Sequence, residues 1–294
     1  MAIGSSLRDM LGLAKGASPA PPAFALAGAM LSHAGCVRTV NEDTVAYLLP
    51  DAGSAAGRRG SLALVADGMG GHAAGAIASQ LAVETVYRLY YELDGPIPEV
   101  LSKSFAAANE AIWQRSQSDP ACAGMGTTCT AMAIRDNRVY LAHIGDSRAY
   151  VLRGGQLYQI SRDHSLVAEL VRNGTLTQDA AERSPQRNVI LRALGTKPLA
   201  EPAIWDEGLP LEDGDVLILC SDGLSDLVDD DTMCSIIAGQ SHYEACQALI
   251  DAALAAGGHD NISVGLFVVG GSAPDVGDCP DDTVRITQPK GDTP

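Results

Sequence analysis

Four short segments of the chain set an aspartate on a glycine-bearing turn. They are Val65-Ala66-Asp67-Gly68-Met69-Gly70-Gly71-His72, His143-Ile144-Gly145-Asp146-Ser147-Arg148, Leu219-Cys220-Ser221-Asp222-Gly223 and Gly257-Gly258-His259-Asp260-Asn261. Each adjoins an apolar, β-rich run, so each carboxylate is delivered from a strand end. Carboxylates collected at one point repel one another and need cations, and an all-oxygen donor set suits Mg²⁺ or Mn²⁺ rather than zinc. Two such ions about 3.5–4 Å apart polarise a phosphoryl oxygen and acidify a water. On this reading Asp67 bridges two ions. The Gly68 carbonyl is a further ligand, because glycine lets the backbone approach closely, and Asp222 and Asp260 complete one shell. Arg38 offers a guanidinium that matches phosphate oxygens bidentately and does not titrate. It lies just before Asn41-Glu42-Asp43, which adds two carboxylates.

The elements that must position these residues follow from composition and pattern. With 294 residues, 46% hydrophobic and 4% aromatic, the chain has ample core, packed by aliphatic side chains and alanine. A net charge of −16 argues against nucleic acid or an anionic membrane surface as partner. The seven cysteines are odd in number and form no Cys-x-x-Cys pair, so neither a disulfide framework nor a zinc site is indicated, and a reducing cytoplasm is the default. No run approaches the roughly 18 apolar residues of a membrane span, and the N-terminus does not read as a secretory signal.

Three regions are expected: an N-terminal extension with a Pro/Ala linker over 1–28, one globular domain over 29–270, and a disordered acidic tail over 271–294. Ser6–Lys15 reads as a short amphipathic helix. Leu62–Ala66 reads as a buried strand ending at Asp67. Helices are expected over 73–91, with Ile77, Leu81, Val83 and Val86 as apolar positions, and over 100–117, with Gly95-Pro96 as the break between them. Runs over 127–134, 138–144, 149–153 and 156–160, joined by Asp136-Asn137 and Gly154-Gly155, read as an antiparallel meander. A helix over 166–172, a polar excursion over 174–189, a strand over 216–220, helices over 231–238 and 243–255 and a strand over 262–269 complete the pattern. This order points to antiparallel sheets flanked by helices.

The motifs Arg38-x-x-Asn41-Glu42-Asp43, Asp67-Gly68-Met69-Gly70-Gly71-His72, Gly126-Thr127-Thr128, Gly145-Asp146-Ser147-Arg148, Ser221-Asp222-Gly223-Leu224 and Asp260-Asn261-Ile262-Ser263 occur in this order. Together they resemble the metal-dependent protein phosphatases, the PPM or type 2C serine/threonine family, and its bacterial members most. The resemblance covers about residues 29–270. It implies an α+β fold, an αββα four-layer sandwich of two antiparallel sheets flanked by antiparallel helices. It implies two Mn²⁺ or Mg²⁺ ions at one sandwich edge, with a third held weakly. Residue by residue it implies Asp67 as bridging ligand, Gly68 as carbonyl ligand, Asp222 and Asp260 as remaining ligands of the first ion, and Asp146 as ligand of the third. It implies Arg38 as the phosphate-binding residue, Glu42 as a ligand through water and Asp43 as the residue that orients the nucleophilic water. The segment from about Asn173 to Val189 sits where the family carries its flap.

The implied function is hydrolysis of phosphoserine and phosphothreonine on proteins by direct attack of a water held between the ions, reversing a serine/threonine kinase in the cytoplasm. A catalytically silent phosphoprotein-binding relative is the alternative. It predicts missing ligands, yet all the matched ligand positions are present. A phosphatase with an aspartyl nucleophile needs an Asp-x-Asp-x-Thr spacing that Asp229–Thr232 lacks. Met69 stands where eukaryotic members often carry a histidine proposed as general acid. His72, three residues on, reads either as that acid or as a polar first-turn residue of the next helix. Simpler roles suit other residues. Arg148 reads as structural, Asn261 as a brace for the Asp260 turn, and Asp229-Asp230-Asp231 as a helix N-cap. Cys220, Trp113 and Trp205 read as packing residues, and Thr283 as either a tail phosphoacceptor or a solvated residue.

Overall fold

In this computed structural model the described residues are 24–51, 53–70 and 73–270. The expected helix over 6–15, the tail with Thr283, and His72 lie outside them. Two antiparallel sheets form the centre. One holds β1 (Leu26–His33), β12 (Ile262–Val269), β11 (Val216–Cys220), β7 (Arg148–Arg153) and β8 (Gln156–Gln159), in that spatial order. The other runs β10 (Leu209–Pro210), β6 (Arg138–Ile144), β5 (Cys129–Arg135), β3 (Ser61–Met69) and β2 (Asp43–Leu48), with β4 (Gly126–Thr127) on β3 and β9 (Ala203–Ile204) on β6.

Period-2 alternation sorts each strand's side chains between two cores. Ala63 and Val65 of β3, with Met132 of the neighbouring β5, face the other sheet, where they meet Met30, Leu217, Leu219 and Phe267. The Tyr47 ring meets the Phe267 ring edge-on at 5.6 Å across this interface. Leu62, Leu64 and Ala66 face the opposite way, onto helices α2 (Ala74–Glu92) and α3 (Ile97–Ser118). Because both faces are covered, β3 reads as an unbroken apolar run. On the far side, α6 (Asp222–Ser225), α7 (Asp230–Ile237) and α8 (His242–Ala255) cover Ala29, Tyr150, Ile218 and Leu266. The result is the expected αββα sandwich, with three apolar layers between its four structural layers.

Local signals explain most boundaries. Asp136 and Asn137, both at positive φ, make the two-residue turn between β5 and β6. Asp229 caps α7 by accepting the Thr232 N–H at 2.8 Å, and Ser241 with Glu244 forms a capping box on α8. Short helices α1 (Ala55–Arg59), α4 (Leu166–Arg172) and α5 (Gln178–Glu182) each start on a serine or threonine cap.

The structure departs from the sequence reading in several places. The domain boundary expected at residue 29 falls inside β1, which pairs with β12 from Leu26 onward. Strands β1 and β2 escaped the pattern reading because mixed polarity hides their alternation. The meander is split, since β5 and β6 lie in one sheet and β7 and β8 in the other. The chain crosses between sheets at Gly145-Asp146-Ser147. The excursion over 174–189 contains α5. Finally, α2 buries Ala74, Ala78, Ala82, Val83, Val86 and Tyr90, leaving Ile77 exposed. Small residues let this helix approach the sheet, and the larger Ile77 is turned outward. Trp205 is buried as expected, whereas Trp113 is half-buried on α3.

Candidate active site

Antiparallel pairing collects the candidate residues at one edge. Asp43 and Asp67 are register partners at the start of β2 and near the end of β3. They share the face of Val45 and Val65, so both side chains lie in the inter-sheet layer, at its rim. In the other sheet, Cys220 at the end of β11 pairs with Val264 of β12 and Arg148 of β7. Asp222 just after β11, Asp260 just before β12 and Asp146 just before β7 therefore share this edge. Asp67 is not on a turn, as its spacing suggested. The strand continues through Gly68 and Met69, which pair with Thr127 and Gly126. Asp222 opens the short helix α6 rather than a turn.

Two glycines permit the close approach. A Cβ on Gly68 would strike the Gly75 carbonyl group near the start of α2 and lie 2.6 Å from the Glu42 carbonyl oxygen. A Cβ on Gly223 would strike the Asn261 carbonyl oxygen, so Gly223 lets the segments carrying Asp222 and Asp260 touch. The threonines of Gly126-Thr127-Thr128 hold the Asp67 backbone. Thr128 Oγ1 accepts the Asp67 N–H at 2.9 Å, and Thr127 Oγ1 donates to the Asp67 carbonyl at 2.8 Å. Thr128 Oγ1 also meets Ser147 Oγ at 2.7 Å, which ties the crossover bearing Asp146 to β3.

Asp43 Oδ2 accepts hydrogen bonds from Ser221 Oγ and Ser263 Oγ, each at 2.7 Å. One oxygen each of Asp43, Asp146 and Asp222 is buried without a hydrogen-bond partner. Burial pushes the carboxyls up, Asp43 to about 7, Asp146 to about 8 and Asp222 to about 6. Asp67 is raised as well, by burial and then by the charges of Asp43 and Asp222. Four mutually repelling, partly desolvated carboxylates are electrostatically unfavourable unless cations neutralise them. Unpartnered buried carboxylate oxygens and an all-oxygen donor set fit hard divalent ions.

Arg38 and Asp260 lie at the rim, where Arg38 Nη2 donates to Asp260 Oδ2 at 2.8 Å. As they stand, no three acidic, histidine or cysteine side chains among the described residues close on a single ion position. The structure thus groups Asp43, Asp67, Asp146 and Asp222, and holds Asp260 against Arg38. The Glu42 carboxylate sits over Gly75 beside the positive end of α2, and the Glu42 carbonyl accepts the Gly68 N–H at 3.2 Å.

Asn261 braces more than its own turn. Its Nδ2 donates to the Ala34 and Val40 carbonyls, each at 3.0 Å, and its Oδ1 accepts the Glu42 N–H at 2.8 Å. It therefore pins both ends of the loop that carries Arg38. Arg148 makes a two-pronged ion pair with Asp163, with bonds of 3.0 and 2.8 Å to Oδ2, as its structural reading anticipated. Cys220 is fully buried, as a core residue should be. Sequence reasoning missed Asp163, and it missed Ser221 and Ser263 as partners of Asp43. Both serines stand inside the quoted motifs, but 178 and 220 residues separate them from Asp43.

An αββα sandwich with a carboxylate cluster and an arginine at one edge defines the class of metal-dependent phosphatases. Residues 39–256 match the protein phosphatase 2C family, and the chain belongs to that family. It is 43% identical over 236 residues to the serine/threonine protein phosphatase PstP of Mycobacterium tuberculosis, covering 79% of this chain but 43% of that protein. It is 37% identical to the protein phosphatase PhpP of Streptococcus pneumoniae, covering 81% of this chain and 95% of PhpP. The chain thus spans less than half of one curated relative and nearly all of the other. A crystal structure of the PstP catalytic domain in complex with two manganese ions superposes with a TM-score of 0.73 at 38% identity, covering 84% of this chain and all of that one.

Proposed function

We propose that the chain is a Mn²⁺- or Mg²⁺-dependent phosphatase of phosphoserine and phosphothreonine proteins. The observation that carries this reading is the edge cluster: four carboxylates, three of them with a buried unpartnered oxygen, beside an arginine. Asp67, the Gly68 carbonyl and Asp222 would hold a pair of ions. Asp260 would join them on releasing Arg38, and Asp146 would take a third. Ions bound there supply Lewis acidity toward the phosphoryl oxygens and an acidified water.

The chain's own residues do the rest. Arg38, freed from Asp260, forks onto two phosphate oxygens and offsets the charge that develops on them. Asp43 orients the attacking water and accepts its proton as oxygen adds to phosphorus and the phosphorus–oxygen bond to the serine or threonine breaks. The departing alkoxide takes a proton from solvent or from His72. Glu42 fixes the Gly68 backbone through its carbonyl. Support for the substrate comes from PstP and PhpP, which are protein phosphatases by name.

We further read the partner as a serine/threonine kinase whose products this chain reverses. The location is read as the cytoplasm, in keeping with Cys36, Cys122, Cys129, Cys220, Cys234 and Cys246, which form no disulfide among the described residues. No helix among the described residues is long and apolar enough to cross a membrane. Purified protein with Mn²⁺ should release phosphate from a phosphothreonine peptide, and chelator should abolish release. Mn²⁺ should also raise the melting temperature of the parent but much less that of Asp67→Asn. Full activity in Asp67→Asn or Asp222→Asn would refute the assignment.

A further inference from the structure

Behind Asp43 lies a chain of hydrogen bonds whose direction the structure fixes. Ser32 and Ser263 are register partners on β1 and β12, and Ser221 lies next to Ser263 at the end of β11. Met30, Leu217, Leu219 and Phe267 of these strands point into the inter-sheet core, so by period-2 alternation the three serines form its last rung at the site edge. Ser221 and Ser263 are fully buried, and Asp43 is 8% exposed.

A serine hydroxyl carries a single hydrogen. Ser263 gives its hydrogen to Asp43 Oδ2, so in the 2.8 Å contact between Ser32 Oγ and Ser263 Oγ the donor is Ser32. Ser32 must then accept from Asn41 Nδ2, at 2.8 Å. Asn41 is oriented for this, because its Oδ1 accepts the Asp43 N–H at 3.2 Å. Ser221 likewise donates to Asp43 Oδ2 while its Oγ accepts the Ser263 N–H at 3.0 Å. Every proton therefore runs toward Asp43, from Asn41 to Ser32 to Ser263 to Oδ2, with a second donor from Ser221. Aligned chains of this kind polarise each member. Two O–H donors saturate Oδ2, while Oδ1 is buried with no partner.

We propose that Ser32, Asn41, Ser221 and Ser263 are positioning residues that commit Asp43 Oδ2 to the scaffold and leave Oδ1 as the oxygen that meets the attacking water. This rests on the phosphatase reading for the identity of that water, while the proton order stands on the hydrogen bonds alone.

A double-mutant cycle tests it. Ser263→Ala should lower kcat on a phosphothreonine peptide about tenfold, the loss of one hydrogen bond to a charged group, with KM changed less than about twofold. In an Asp43→Asn background the same substitution should lower kcat by less than about twofold. A serine with a merely structural role would cost the same in both backgrounds, and that result overturns the proposal. The same four proteins melted in chelator give a readout without activity. The double variant should melt no lower than the less stable single variant, and additive losses would overturn the proposal. If the parent releases no phosphate, the phosphatase reading fails while the melting cycle still decides the hydrogen-bond order. Should Ser263→Ala not fold, Ser32→Ala, one hydroxyl further out, carries the same cycle.

Discussion

Replacing Gly68 by alanine tests how the site is held. The new Cβ would fall on the Gly75 carbonyl group and 2.6 Å from the Glu42 carbonyl oxygen. Ordinary contact begins near 3.4 Å, so β3 must part from Glu42 by about 0.8 Å, and from α2 by more. Neither neighbour is a flexible side chain. One is helix backbone packed on the core, the other the residue bonded to Gly68 N–H. Overpacking of this kind costs about 1–3 kcal/mol. In a domain of this size that lowers the melting temperature by about 2–12 °C. The displacement also moves Asp67 and the Gly68 carbonyl, and misplacement near 1 Å costs on the order of a hundredfold in turnover. Gly53 has open space around it, so Gly53→Ala serves as a control expected within about 0.5 kcal/mol of the parent. Thermal melts and phosphate release on the three proteins check this. If Gly68→Ala melted with the parent and kept full turnover, the close approach of β3 and α2 would not be what places these ligands.

Other consequences follow from the same geometry. Asp43, Asp146 and Asp222 are raised to about 7, 8 and 6, against about 3.9 in an unfolded chain. The folded state therefore binds more protons than the unfolded state over this range, and stability falls as pH rises. In chelator the melting temperature should fall from pH 5 to pH 8, and Mn²⁺ should restore more at pH 8 than at pH 5; a rise with pH in chelator would contradict the burial of these carboxyls. Asn261→Ala removes three hydrogen bonds from the loop carrying Arg38. At about 1 kcal/mol each it should lower stability by about 2–3 kcal/mol in denaturant melts and raise KM more than it lowers kcat. Arg38→Lys keeps the charge but loses the fork, and should lower kcat/KM for a phosphopeptide by at least about tenfold with no change in melting beyond about 1 kcal/mol, since the Arg38–Asp260 pair is exposed.

Much of the fold could be read along the chain. Strands β6, β11 and β12 and helix α4 occupy the spans their apolar runs and caps suggested, because both ends of each carry a local signal. Strand β1 could not be read this way. Its Gly28 and Ser32 break the alternation, and pairing with β12 supplies the order that its own sequence lacks. The buried face of α2 was read only in part, for a related reason: Val83 and Val86 are buried as expected, but hydrophobicity favours Ile77 where the spacing to β3 favours Ala78 and Ala82.

The site divides in the same way. Residue type alone fixed the kind of chemistry, because clustered carboxylates with an arginine suit hard cations and a phosphate, and the order of the motifs fixed the family. Only the tertiary structure decided which oxygens are free. Asp43 Oδ2 is held by two serines, Asp260 is held by Arg38, and one oxygen each of Asp43, Asp146 and Asp222 stays without a partner. These contacts join residues 178 to 222 positions apart. A residue's capacity to donate or accept is set by its covalent structure, whereas the partner it meets is set by strand register and sheet packing.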